Sequence, residues 1–166
     1  MTARLIGTGN EELVLEISAP QISPTEPDFV LWALGVSLAM PQCFPAIQQS
    51  VETSFYQVPS LDHLTALLEG DSGSRFAIDE LNFQLEIYEQ TLNNGPRSGF
   101  IVDVNMHSPG ISSPREWPGN APDQILHDHR KGTASLNFAF AVDQECLKSF
   151  HRELKIDFRR CSENGG

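Results

Sequence analysis

Asp79-Glu-Leu-Asn-Phe-Gln-Leu-Glu-Ile-Tyr-Glu89 and Gly99-Phe-Ile-Val-Asp-Val-Asn-Met-His107 decide the fold. In the first run Leu81, Phe83, Leu85 and Ile87 alternate with Asn82, Gln84, Glu86 and Tyr88. In the second, Phe100, Val102, Val104 and Met106 alternate with Ile101, Asp103, Asn105 and His107. Successive side chains of a strand point to opposite faces, so each run has one apolar and one mainly polar side. Asn93-Asn94-Gly95-Pro96 supplies turn chemistry between them. The pair reads as two antiparallel neighbours with one face buried and one wet.

Upstream of this pair, Leu13, Leu15 and Ile17 mark a short strand over 12–17. Pro20, Pro24 and Pro27 cannot donate to a ladder, so the segment around them reads as a loop. Residues 29–38 are nearly all apolar and bounded by prolines, the pattern of a central strand covered on both sides. Ile47, Val51, Thr53 and Phe55 alternate with polar residues and predict a third strand. Ser60 suits an N-cap, Leu61, Leu64, Leu67 and Leu68 form a helical stripe, and Gly70 is a natural stop.

Downstream, residues 108–132 hold four prolines and three glycines, and loops of this length are usually functional or disordered. Leu136, Phe138, Phe140 and Val142 mark a late strand. Asp143 can cap a final helix carrying Leu147, Phe150 and Leu154, with a short strand expected over 154–158 and a frayed tail over 159–166. The expectation is one α+β domain over residues 1–166. Its mainly antiparallel, curved or split sheet has about six strands and two helices, in the order β-β-β-α-β-β-β-α.

Composition narrows the function classes. The formal net charge is −11, and it is unevenly spread. Residues 1–129 hold 17 acids against four bases, a net of −13, while residues 130–166 hold five acids against seven bases, a net of +2. An acidic body repels phosphate backbones and attracts basic proteins, so nucleic acid is not the expected partner. No apolar run reaches the roughly 20 residues of a membrane span, and the first residues lack the apolar stretch of a signal peptide. A cytoplasmic protein without membrane contact is expected. Cys43, Cys146 and Cys161 are odd in number and unpaired in spacing, which points to reduced thiols.

Catalytic signals are sparse. A nucleophile elbow, a phosphate-cradling loop and a dinucleotide fingerprint are all missing from the sequence, so no catalytic residue and no cofactor is assigned. His127-Asp128-His129 together with His107 offers imidazoles for a metal ion, and a metal-binding module or small metal-dependent enzyme is one alternative. A structural or adaptor subunit is another. The stronger pattern is a polar, acidic sheet face. Glu52, Glu86, Tyr88, Asp103 and Asn105 all fall on outward parities, and a tyrosine among carboxylates is a good anchor for a basic partner. The long loop, with Trp117, Asp123 and Asp128, is a second candidate surface for that partner.

The arrangement also resembles a known group. Early strands with a Trp precede the Leu-rich helix Leu61-Asp62-His63-Leu64-Thr65-Ala66-Leu67-Leu68. A strand of the type Phe76-x-x-x-x-Leu81-x-Phe83 follows, and a Leu/Phe helix closes the chain. This is similar to the WapI-type immunity proteins of bacterial polymorphic toxin systems. The resemblance implies a small cytoplasmic protein, not an enzyme, that neutralises one cognate toxin by binding it. A basic toxin domain would complement the acidity.

Overall fold

Alternation of apolar and polar residues builds two antiparallel sheets that share one core. The computed structural model describes residues 2–18, 20–22, 30–43, 46–55, 57–80, 82–91, 98–108 and 134–164. The first sheet contains β1 (Thr2–Ile6), β2 (Glu12–Ile17), β4 (Val30–Met40) and β5 (Ile47–Phe55), in the order β1-β2-β4-β5. A two-residue β3 (Gln21–Ile22) also pairs with β4. The second sheet is a meander of β6 (Arg75–Glu80), β7 (Phe83–Thr91), β8 (Ser98–Ser108) and β9 (Ala134–Val142). Helix α1 (Asp62–Leu68) links the sheets, and helix α2 (Gln144–Asn164) ends the described chain.

The α+β class, the antiparallel pairing and the two helices agree with the sequence. The strand count and order do not: among the described residues there are nine strands in the order β-β-β-β-β-α-β-β-β-β-α. One expected strand is really two. Glu80 pairs with Phe83, so β6 and β7 are separate antiparallel partners. The break between them exchanges parity: Phe76 and Ile78 are buried before it, Phe83, Leu85 and Ile87 after it. Leu81 lies outside the described residues.

Inward residues of both sheets and both helices form a single cluster. Leu13, Leu15, Leu34 and Leu38 come from the first sheet, and Phe83, Ile87, Val102 and Val104 from the second. Each such side chain contributes about 1.5–3 kcal/mol by leaving water. Residues 30–38 are a central strand, but one face only is buried. Trp32, Leu34, Val36 and Leu38 point inward, while Leu31, Ala33 and Gly35 are half-exposed and Ser37 is exposed. The continuous apolarity suggested cover on both sides; small residues on the outer parity explain it without such cover.

The helices close the core. Ser60 Oγ accepts from the Asp62 N–H at 3.2 Å, but Leu61, not Ser60, holds the N-cap position of α1 and makes no side-chain cap bond. Gly70, at φ +100°, ends it in the left-handed conformation that suits glycine. In α2, Asp143 Oδ1 accepts from the Cys146 N–H at 2.7 Å, the expected cap. Leu147, Phe150, Leu154, Phe158 and Cys161 then follow helical spacing and are buried. The chain therefore stays helical where alternation over 154–158 suggested a strand, and residues 159–164 continue the helix.

Helix α2 runs beside the edge strand β1. Glu153 Oε2 accepts from the Arg4 backbone N–H at 2.8 Å, which occupies an edge amide. Phe158 meets Phe55 edge-on at 6.2 Å, and Phe55 stacks on Trp32 at 5.7 Å. The turn after β1 lies against β9, where the Thr8 N–H donates to the Ala141 carbonyl at 2.8 Å. A Cβ on Gly7 would approach Phe140 to 2.7 Å, so this contact needs glycine.

Candidate functional site

The outward face of the second sheet is ordered in cross-strand rows. Register places Arg75 beside Tyr88, and Tyr88 beside Ile101. The next row is Ala77, Glu86, Asp103 and Ala139. The third is Asp79, Gln84, Asn105 and Asn137. Directly opposed side chains on one face stand about 5 Å apart at Cβ, so members of a row interact.

In the middle row two carboxylates sit between two alanines. The small flanks leave an open trough of about 630 Å³ whose lining includes Ala77, Glu86, Asp103 and Ala139. Arg75 partly neutralises it. Its Nη1 donates to Glu86 Oε1 at 2.7 Å, and its guanidinium lies 4.9 Å from the centre of the Tyr88 ring. The bond and charge of Glu86 raise the Arg75 pKa above its ordinary value. The neighbouring Asp103 carboxylate, with burial, raises the Tyr88 phenol above its ordinary pKa. Asp103 has no Lys or Arg partner among the described residues.

The third row is a chain of amides. Gln84 Nε2 donates to Asp79 Oδ1 at 2.8 Å, and Asn105 Nδ2 donates to Gln84 Oε1 at 3.2 Å. Asn105 Oδ1 is shielded from solvent and accepts no hydrogen bond among the described groups. The floor of the trough is thus rich in acceptors, and its shape suits a cationic donor group.

Of the residues singled out from sequence, Glu86, Tyr88, Asp103 and Asn105 meet on this face. Glu52 is separate. It lies on β5 of the first sheet opposite Gly35, and its backbone carbonyl accepts from Asn82 Nδ2 at 3.5 Å. Trp117, Asp123 and Asp128 fall outside the described residues, as do His127 and His129 of the metal alternative. His107 is on β8, beside Ser135 of β9. Among the described residues no three or more His, Cys, Asp or Glu side chains gather as metal ligands.

Sequence reasoning missed Arg75, which clamps Glu86 and Tyr88. Its signal was parity: Arg75 is out of phase with the buried Phe76 and Ile78. Cys146 and Cys161 are not activated thiols. Burial pushes Cys146 and Cys161 above the usual thiol pKa, and the Asp143 carboxylate adds to the shift at Cys146. No helix of the described chain is long and apolar enough to cross a membrane. No protein-family model, curated protein or solved structure matches the chain significantly.

Proposed function

We propose that the chain is a binding protein that takes a basic protein surface on the outward face of its second sheet. The observation that carries this is the trough with Glu86 and Asp103 at its centre, alanines at its sides and Tyr88 at its margin. A net charge of −11 supports it, because such a field speeds the approach of a cationic partner. Tyr and Arg side chains held rigidly at a site are favourable anchors, since little freedom is lost when they are covered.

The partner that fits the sequence resemblance is a basic toxin domain. The chain would then be an antitoxin-like immunity protein, cytoplasmic and without catalysis of its own, that inhibits by occlusion. The test is co-expression with the C-terminal domain of a toxin encoded directly upstream of this gene. Wild type is expected to restore growth, and Glu86→Lys/Asp103→Lys, folded by circular dichroism, to fail. Equal protection by both would remove the second-sheet face from the account. No protection by wild type would remove the toxin.

A further inference from the structure

A second charged surface lies on α2. Lys148, Arg152, Lys155 and Arg159 recur at spacings of four, three and four residues, and all are exposed. Such spacing places them on one face of a helix, in a stripe about 16 Å long at 1.5 Å per residue. Glu145 pairs with Lys148 and Glu163 with Arg159, both at 2.8 Å, so the ends of the stripe are neutralised. Arg152 bonds only the neutral Ser149 hydroxyl, at 3.2 Å, among the described groups. Lys155 has no carboxylate within ion-pair distance among them. Ile156, 47% exposed, lies beside these cations.

We propose that this stripe docks in the acidic trough of the second sheet on another copy of the chain. The proposal rests on the reading of that trough as a cation-binding face. The complementarity is both charged and apolar: Arg152 and Lys155 would meet Asp103 and Glu86, and Ile156 would meet the Ala77 and Ala139 shelf. The carboxylates at both ends of the stripe favour a short acidic patch over a continuous polyanion. Two copies of net charge −11 repel at long range, so the stripe and the trough attract only at close approach. Within one molecule the contact is closed off, because α2 is packed along β1 of the first sheet.

The two surfaces differ, so the contact is heterologous and propagates into chains or closes into rings. A basic partner would compete for the trough, so binding it would dissolve the assembly.

Sedimentation velocity of the full chain tests this. At about 0.1 M salt, where the screening length is about 10 Å, the mean mass should climb above the 18.4 kDa monomer as concentration rises. It should return to the monomer at about 0.5 M salt, where the screening length is only about 4 Å. Arg152→Glu/Lys155→Glu and Glu86→Lys/Asp103→Lys should each be monomeric alone. Mixed, they should form a complex, because each retains one intact surface and the reversed surfaces also match. A wild type that is monomeric throughout, or a mixture that stays monomeric, overturns the proposal. So does a stripe that instead retards a DNA oligonucleotide in an Arg152- and Lys155-dependent way while the protein stays monomeric. Growth protection by a monomeric wild type would leave the toxin reading standing and end only the self-association. Self-association without protection would do the reverse.

Discussion

Removing the buried charge at Asp157 should stabilise the protein at neutral pH. Asp157 is 4% exposed in the apolar stripe of α2, between Leu154 and Phe158, and its Oδ2 has no hydrogen-bond partner among the described residues. Burial raises its pKa above the ordinary carboxylate value, with the charge of nearby Arg160 pulling the other way. The folded state therefore holds this proton more tightly than the unfolded state. Asp157 is neutral in both states below the unfolded pKa, and stability is lost as pH rises through the folded one. An unsatisfied buried polar atom costs about 1–3 kcal/mol. Asp157→Asn removes the charge but keeps the shape and one polar group, so a gain of about 1–2 kcal/mol at pH 7 is expected. For a chain of this size that is a rise in Tm of about 2–8 °C. Thermal and urea melts of both proteins at pH 7 and near pH 4 provide the assay. The advantage of the variant should be present at pH 7 and shrink toward pH 4. A variant less stable than wild type at pH 7 would show that the carboxylate makes a favourable contact, and the reasoning would be refuted.

Other perturbations follow from the same packing. Phe55→Ala should cost about 3–5 kcal/mol, because it opens a cavity between Trp32 and Phe158; denaturant titration read by Trp fluorescence measures it. Gly70→Ala should cost about 1 kcal/mol through backbone strain alone, since an added Cβ there meets nothing within 4 Å. The Thr65 hydroxyl donates to the Leu61 carbonyl at 3.0 Å, so in its 3.0 Å contact with His151 Nε2 the ring must donate. Burial, then Lys155, lowers the His151 pKa, so the unfolded chain takes up a proton before the folded one. Stability should thus fall as pH drops below about 6.5, the ordinary imidazole value. His151→Gln should lessen that fall in melts compared between pH 7 and pH 5.

The pairing of Glu86 with Asp103 was legible because a period of two assigns faces whatever the rest of the chain does. What that period does not carry is sheet membership. Glu52 has the right parity but belongs to the first sheet, since its partner strand is β4. The break between β6 and β7 was hidden because no Gly or Pro falls between Asp79 and Glu89 to mark it. Strand β1 went unread because Thr2–Ile6 is short and is completed by its antiparallel pairing with β2 and by the cover of α2. In α2, Asp157 interrupted the apolar stripe and made alternation look as good as a helical period.

The central claim is that Glu86 and Asp103 form the cation-accepting centre of a docking face. Its most direct test is the association rate of the proposed basic partner domain with wild type and with Glu86→Gln/Asp103→Asn, measured by stopped flow across a range of salt. Electrostatic steering raises such rates by about 10–1,000-fold. The account predicts that the neutralised variant associates about tenfold more slowly at low salt, with a shallower decline as salt is added. Equal rates with parallel salt dependence would contradict it.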